Sequence, residues 1–304
     1  MDEVITVRGL KKRFGKVVAL DGVDLTVHPG ELVGFLGPNG SGKSTTIRIL
    51  LGLLRYDGGT VRLFGGDPHR DAVTLHRRLA YVPGDVTLWP HLSGGECIDL
   101  LLALRGAQSS ARARRAELID RFALDPTKKS QTYSKGNRQK VALIAALCTD
   151  VDLLVLDEPT SGLDPLMTRQ FILAVRELSA RGTAVLMSSH LLSEVEELCE
   201  SVTIVRDGRT VLAGSLDELR RLRRSRVEVG GAADRAPALS GVDGVHEVAV
   251  LGGDLTFTVE PDAVPAVLGL LSDWGRPGVS IGPPSLEELF LQTYGVDAGD
   301  TGIR

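Results

Sequence analysis

Cysteine is scarce in this chain, with only Cys97, Cys148 and Cys199 among 304 residues and no C-x-x-C pair. A disulfide scaffold or a zinc site needs more cysteines at closer spacing, so we exclude both and expect a reducing compartment. Long hydrophobic runs are also missing, because the longest, Val141–Cys148, is far shorter than the roughly 20 residues that cross a bilayer. No signal peptide is visible after the acidic start Met1–Glu3. If the chain serves a membrane process, we expect the membrane part to be another chain.

The chain also lacks an excess of basic residues, since its formal net charge is −4 and its pI is about 5.9. Proteins that bind nucleic acid usually carry a basic patch or a basic excess, so we expect no nucleic-acid partner. Local basic clusters are interpreted mainly as solvated surfaces. They are Lys11–Arg13, Arg112–Arg115 and Arg220–Arg226. For the last one, contact with an anionic lipid or a partner stays open.

Short aliphatic runs alternate with amphipathic stretches along residues 30–200, which predicts a parallel α/β architecture. A β-rich N-terminal lobe is predicted before it, from Val4–Val7 and Val17–Val27, and a charged helical insertion over Arg112–Thr132. The predicted core strands are Leu32–Leu36, Leu79–Val82, Leu153–Leu156 and Ala184–Met187. The predicted core helices are Ser44–Leu54, Gly136–Cys148, Pro165–Ala180 and Leu191–Cys199.

Composition changes near residue 220, so we predict two domains, 1–220 and 221–304. The second contains a β-α-β-β-α-β order of segments, which is typical of ferredoxin-like α+β folds. The segments are Val227–Val229, Arg235–Leu239, Val245–Val250, Leu255–Val259, Ala263–Leu271 and Val279–Ile281. A last helix is predicted over Leu286–Tyr294, after the capping pair Pro284–Ser285.

The segment Gly37-Pro38-Asn39-Gly40-Ser41-Gly42-Lys43-Ser44-Thr45 matches the phosphate-loop pattern G-x-x-x-x-G-K-[ST]. Glycines let the backbone N–H groups point inward at a phosphate, and the helix that follows directs its positive end there. Lys43 supplies a cation for the β- and γ-phosphates, and the Ser44 hydroxyl can bind Mg²⁺. The chain has only two asparagines, and neither forms the N-K-x-D segment typical of GTPases. We therefore expect ATP.

A second acidic motif follows the aliphatic run Leu153–Leu156. Asp157 ends a predicted strand, where open α/β sheets bind their ligands, and can hold Mg²⁺ directly or through water. Glu158 is then free to orient or deprotonate the attacking water.

At this point the sequence resembles the ATP-hydrolysing cassettes of ABC transporters. Gly37–Ser44 resembles their Walker A motif, Asp157–Asp164 their Walker B motif and D-loop, and Ser188–His190 their switch histidine. The resemblance covers about residues 3–220 and implies a two-lobed cassette that dimerises and holds two ATP molecules between facing loops. It also implies that His190 contacts the γ-phosphate, that Phe14 stacks on adenine, and that Asp164 contributes to the nucleotide site. Alternatively, Phe14 is an ordinary core residue and Asp164 simply caps the next helix.

Two segments resemble the L-S-G-G-Q signature with which the family completes the site on the opposite subunit. Leu92-Ser93-Gly94-Gly95-Glu96 matches four of its five letters but lies 65 residues before Asp157, so we interpret it as a chance match. Tyr133–Lys140 directly precedes a predicted helix and the Walker B strand. We therefore predict that Ser134, Gly136 and Asn137 contact ATP in the second subunit, although Lys135 replaces a glycine and Asn137 a glutamine.

The family's Q-loop glutamine is absent, because Gly84 stands where it is expected. The hypothesis is that Asp85, a hard oxygen ligand one position on, compensates at the metal. Trp89, Pro90 and His91 follow as an aromatic patch that, by the resemblance, faces the membrane partner; plain packing is the alternative.

The resemblance is strongest to drug-resistance-type exporters. It implies an ATPase that uses Mg²⁺ and ATP, works as a homodimer or with a second cassette, and lies on the cytoplasmic face of the membrane beside a separate permease. Two alternatives stay open. One is a soluble cassette acting on nucleic acid or ribosomes, disfavoured by the acidic charge and the single phosphate loop. The other is an ATP sensor without transport.

Overall fold

The computed structural model describes residues 3–106, 109–221, 224–239, 241–275, 278–282 and 286. The chain divides into two units, Met1–Ala213 and Gly214–Arg304. The strands of the first unit are β1 (Ile5–Phe14), β2 (Val17–Val27), β3 (Leu32–Leu36), β4 (Gly58–Leu63), β5 (Leu79–Val82), β6 (Leu153–Asp157), β7 (Ala184–Ser189), β8 (Ser201–Arg206) and β9 (Arg209–Ser215). Its helices are α1 (Lys43–Leu50), α2 (Ala72–His76), α3 (Gly94–Leu104), α4 (Ser109–Arg121), α5 (Lys135–Leu147), α6 (Pro165–Ser179) and α7 (Leu192–Leu198).

The predicted β-rich lobe is an antiparallel sheet in the order β2-β1-β4. Alternation along β1 explains it, because Ile5 and Val7 are fully buried while Thr6 and Arg8 lie on the other face. The third strand, β4, was not predicted, since it begins with Gly58 and Gly59 and shows no hydrophobic run.

The larger sheet has the strand order β5-β6-β7-β3-β8-β9 and is parallel from β5 to β8. Strands β3, β6 and β7 are buried along their whole length, as expected when helices cover both faces of a parallel sheet. These central strands were all predicted. Their carboxyl ends share one edge, so the loops that follow them meet there.

Helix α1 is shorter than predicted, because it stops at Leu50 rather than Leu54. Gly52 adopts a left-handed φ of +67°, and the Leu53 N–H donates to the Arg48 carbonyl at 2.9 Å. That pattern ends helices, and glycine favours it because it has no Cβ.

The insertion between β5 and β6 is helical, as predicted, but its helices differ from the expected span Arg112–Thr132. Helix α4 ends at Arg121, and Ala123 then takes a φ of +47°, which breaks the helix. After a non-helical segment, only a short 3-10 turn, Ser130–Thr132, completes the span. Helix α3 was missed, because its first residues were interpreted as a chance match to another motif.

The second unit contains α8 (Leu216–Arg221), β10 (Ser225–Val229), α9 (Ala236–Leu239), β11 (Val245–Leu251), β12 (Asp254–Val259), α10 (Val264–Asp273) and β13 (Val279–Gly282). Its strands form a sheet in the order β11-β12-β10-β13, the arrangement of a split βαβ fold. Val227, Phe257 and Leu271 contribute to its own core. The helix predicted over Leu286–Tyr294 lies outside the described residues except for Leu286. Among the described helices, none has the length and hydropathy to span a bilayer.

Candidate functional site

The phosphate loop connects the buried strand β3 to helix α1. Gly42 has a φ of +109°, and a Cβ there would overlap the Leu20 side chain, so the turn into the helix needs glycine. Because the helix begins directly behind the loop, its first N–H groups have no partner within the helix. Such a helix start is suited to bind a phosphate.

Ser41 gives a second indication of an anion site in this loop. Its side chain is buried, and its hydroxyl has no hydrogen-bond partner among the described residues. A buried hydroxyl without a partner is unfavourable, so a ligand oxygen that accepts its proton would stabilise the loop. The sequence pattern alone did not distinguish Ser41 from Pro38, Asn39 and Gly40, which are exposed.

Lys43 is buried and turns back onto the loop. Its ammonium donates to the carbonyls of Gly37 at 2.6 Å and Pro38 at 3.1 Å. Burial lowers the pKa of Lys43, and the nearby negative charges of Glu158 and Asp157 oppose that shift. The cation thus lies between the loop and the acidic strand, where it can exchange a carbonyl for a phosphate oxygen.

Ser44 and Thr45 begin helix α1, and Ser44 is exposed while Thr45 is half-buried. The next hydroxyl, on Thr46, is already used, since it donates to the Gly42 carbonyl at 3.0 Å. No described hydrogen bond uses the Ser44 hydroxyl, so it can take a metal ion or a phosphate oxygen.

Asp157 ends strand β6 and is buried. Its neighbour in the parallel register is Ser188 on β7, whose hydroxyl donates to the Asp157 carboxylate at 2.5 Å. Ser188 also fixes the next residue, because the Glu158 N–H lies 3.0 Å from its carbonyl and 3.2 Å from its hydroxyl. The sequence analysis gave Ser188 no role of its own. A polar residue at the end of a buried strand was the available signal.

Glu158 and His190 form a pair at the same edge of the sheet. The His190 Nδ1 atom lies 3.4 Å from a Glu158 carboxylate oxygen, and both side chains are partly exposed. Glu158 has a φ of +48°, a strained conformation for a residue with a side chain, and such strain often occurs at functional sites. The structure thus brings together two residues that lie 32 positions apart and were proposed from separate motifs.

Asp164 caps helix α6, since its carboxylate accepts the Met167 N–H at 2.9 Å. The predicted capping role is confirmed, and the exposed side chain keeps further lone pairs free. Phe14 is 48% exposed at the end of β1, which excludes the alternative of a core residue. The Lys12 ammonium lies 5.4 Å from the Phe14 ring centroid.

Ser134, Gly136 and Asn137 lie at the start of α5, next to the loop that follows Glu158. The exposed Ser134 accepts the Asn137 N–H at 3.3 Å, and Lys135 donates to Ser161 at 2.6 Å. No contact described in the structure joins these residues to the phosphate loop of the same chain. By contrast, Ser93 is a buried helix cap.

Gly84 packs against the end of β6, where a Cβ would lie 3.0 Å from the Asp157 carbonyl oxygen. Asp85 is exposed and lines a groove of about 270 Å³ together with Pro90, Ser130 and Arg138. Among the contacts that the structure describes, none joins Asp85 to Ser44 or Asp157. Its role as a metal ligand therefore stays a prediction.

Comparisons with known proteins agree with this geometry. A family model described as ABC transporter matches residues 20–161. The chain is 36% identical over 318 residues to the daunorubicin/doxorubicin resistance ATP-binding protein DrrA of Streptomyces peucetius, covering 97% of this chain and 94% of that protein. It is 32% identical over 308 residues to the Nod factor export ATP-binding protein I of Ralstonia nicotianae, covering 98% and 95%.

Among solved structures, the cassette MJ0796, in a dimeric post-hydrolysis state bound to ADP and Pi, superposes with a TM-score of 0.63. Its sequence is 25% identical, and the match covers 70% of this chain and 98% of that one. The predicted cassette fold is thereby confirmed. The chain belongs to the ABC transporter family, as an ATP-binding and ATP-hydrolysing subunit that energises transport through a membrane partner.

Proposed function

We propose that this chain hydrolyses ATP at the edge of its large sheet, as one of two cassettes that drive export of a small molecule or lipid through a separate permease. The observation that supports it most is the Glu158–His190 pair, 3.4 Å apart, beside Asp157 and the buried Lys43. Phosphoryl transfer to water needs a general base, a cation and a carboxylate that can bind a metal ion.

In the proposed site the backbone of Gly37–Thr45 and the Lys43 ammonium bind the β- and γ-phosphates. Phe14 stacks on the adenine. Glu158 orients the attacking water and accepts its proton. His190 is held by Glu158 and donates to the γ-phosphate, where negative charge accumulates.

The residues also fit Mg²⁺, which prefers hard oxygen ligands and keeps several waters beside one or two carboxylates. No described hydrogen bond uses the Ser44 hydroxyl, and Asp157 keeps acceptor capacity beyond the hydrogen bond from Ser188. In this proposal Ser44 and Asp157 hold the ion, which neutralises phosphate charge when bound, and Asp85 is a third candidate.

A second cassette completes the site. Ser134, Gly136 and Asn137 present a hydroxyl and helix N–H groups at an exposed edge, away from the phosphate loop of their own chain. We propose that they, with Asp164, contact ATP held by the facing subunit, either a second copy or a related cassette. The dimeric MJ0796 structure with ADP and Pi supports this arrangement.

We propose that the chain lies on the cytoplasmic face of the membrane, beside its permease partner. The groove beside Asp85 and Arg138 adjoins Trp89, which is 44% exposed, so it offers a mixed polar and aromatic surface. We propose that a cytoplasmic segment of the permease binds there. Relatives named for daunorubicin resistance and for Nod factor export make a small organic compound the proposed cargo.

Glu158→Gln tests the hydrolysis step. We expect it to lower kcat by at least about 100-fold, since a general base commonly contributes that much, while ATP binding is retained and the ATP-bound dimer persists in size-exclusion chromatography. Glu117→Gln, on the exposed face of α4, is the matched control and should match the wild type. A Glu158→Gln variant with wild-type kcat would contradict the proposal. For the transport step, we expect proteoliposomes that contain the permease to accumulate cargo with the wild-type chain and not with Glu158→Gln.

A further inference from the structure

Glu194 is a buried carboxylate for which the proposed mechanism has no role. It lies in the first turn of α7, four positions after His190, with a relative exposure of 8%. One of its carboxylate oxygens accepts hydrogen bonds from two hydroxyl groups, that of Thr160 at 2.7 Å and that of Ser189 at 3.2 Å. Burying a carboxylate is unfavourable unless such donors satisfy it, so this arrangement constrains both hydroxyls.

The two hydroxyls belong to the two segments that carry the proposed catalytic pair. Thr160 follows Glu158 by two residues, with the rigid Pro159 between them, and Ser189 directly precedes His190. Ser189 also fixes the turn beyond the histidine, because its hydroxyl accepts the Leu191 N–H at 3.0 Å.

Glu158 and His190 are therefore held from two sides. On one side Ser188 binds Asp157 and the Glu158 N–H. On the other, Glu194 joins the segment after Glu158 to the turn that carries His190. His190 itself is 54% exposed and Glu158 31%, so little packing fixes them directly.

We propose that Glu194 is a positioning residue, which holds Glu158 and His190 at their mutual distance by joining Thr160 to Ser189. The inference rests on the proposed function, since it concerns the same reaction. Because it acts through hydrogen bonds, the shape and acceptor capacity of residue 194 matter more than its charge.

The decisive variant is Glu194→Met, which keeps length and apolar bulk but removes both hydrogen bonds. We expect kcat to fall at least about 10-fold, since a small misplacement of catalytic groups is costly, while the KM for ATP changes less than about 2-fold. Glu194→Gln can still accept a hydroxyl, so it should keep at least about half of the wild-type kcat. Glu197→Met, an exposed position of the same helix, is the control and should not change kcat.

A double-mutant cycle separates positioning from general support of the fold. Thr160→Val alone should lower kcat, but it should add no further loss to Glu194→Met, because the shared hydrogen bond is already gone. Tm measured alongside shows whether every variant is folded. If Glu194→Met does not fold, the Gln variant and the Thr160→Val variant still provide the comparison.

Three results would overturn the inference: wild-type kcat in Glu194→Met, independent losses in the double variant, or a loss in Glu194→Gln as large as in Glu194→Met. Failure of the proposed function is distinguishable from all three. In that case the wild type itself would hydrolyse ATP no faster than Glu158→Gln.

Discussion

Helices α3 and α5 of the insertion both begin after a capping serine, and each has a glycine within its first two residues. At α3 the sequence is Ser93-Gly94-Gly95-Glu96, and at α5 it is Ser134-Lys135-Gly136-Asn137. Both serines accept the N–H of the residue three positions on. The two helix starts differ in whether their backbone N–H groups have hydrogen-bond partners and in what their glycines pack against.

At α3, residues of the same chain accept hydrogen bonds from the backbone N–H groups at the helix start. Ser93 is buried and forms a capping box, in which its N–H donates to the Glu96 carboxylate at 2.6 Å. The N–H groups of Gly94 and Gly95 donate to the carbonyls of residues 128 and 126, at 3.1 and 2.9 Å. A Cβ on Gly94 would overlap the Tyr133 ring. Among the described contacts, the N–H groups of Ser93 through Glu96 therefore all have partners within the chain.

At α5 the first two N–H groups of the helix have no described partner. Ser134 and Lys135 are exposed, and no described contact occupies the N–H groups of Lys135 or Gly136. A Cβ on Gly136 would overlap the Gly162 carbonyl, so this glycine permits close approach to the loop after Glu158. This difference in unused hydrogen-bonding capacity supports the prediction that Tyr133–Lys140, and not Leu92–Glu96, is the signature.

The largest expected effect separates the two serines. Ser134→Ala should lower dimer-dependent ATP hydrolysis on the order of 100-fold, as loss of a donor to transition-state charge commonly does. Ser93→Ala should leave kcat unchanged and cost about 1 kcal/mol of stability, through loss of a helix cap. Steady-state kinetics and thermal unfolding of both variants test this. The opposite pattern would mean that α3, not α5, carries the signature.

A glutamate at position 137 should give α5 the capping box that α3 has. Asn137→Glu introduces the capping-box residue that α3 has at Glu96, and it directs a carboxylate toward the site of the partner's phosphate. We expect kcat to fall at least about 10-fold by charge repulsion, with an equal or higher Tm. In the reciprocal variant, Glu96→Asn, kcat should match the wild type. Unchanged kcat in Asn137→Glu would place that residue outside the nucleotide site.

The glycines should differ in the property they affect. Gly94→Ala forces a methyl group into the Tyr133 ring and should destabilise the chain by about 1–3 kcal/mol, with normal kcat in the folded fraction. Gly136→Ala displaces an exposed loop instead, so it should lower kcat about 10-fold with a smaller change in Tm. Chemical denaturation and ATPase assays separate these outcomes. Equal loss of Tm in both variants would argue against a functional role for Gly136.

The smallest effect concerns pH. The hydrogen bond from the Ser93 N–H lowers the pKa of Glu96 below its ordinary value of 4.5, so the ionised carboxylate stabilises the folded state. That contribution is present above the unfolded pKa and disappears as pH falls through the lowered folded pKa. Glu96→Gln should thus lower Tm slightly at pH 7, and its difference from the wild type should shrink as the pH falls below the ordinary pKa of 4.5. A Tm difference that persists at low pH would contradict this role.

Periodicity and motif spacing predicted the central strands and the helices behind the phosphate loop, because buried aliphatic runs and glycine turns are local signals. They failed for β4, whose glycines hide it, for α3, whose start resembles another motif, and for β8 and β9. The spacing argument favours Tyr133–Lys140 over Leu92–Glu96 as the signature, and that assignment stays a prediction. The end of α4 at Arg121 was unpredictable, since a left-handed alanine leaves no compositional trace.

By itself the sequence determined the nucleotide chemistry, because the loop Gly37–Thr45 and the acids Asp157 and Glu158 are contiguous motifs whose residue types dictate what they bind. Only the tertiary structure decided which distant residues support them. Ser188 reaches Asp157 because β6 and β7 pair in parallel register, and Glu194 reaches Thr160 because α7 packs behind that edge. Register and packing depend on the whole core, so no local pattern encodes these contacts.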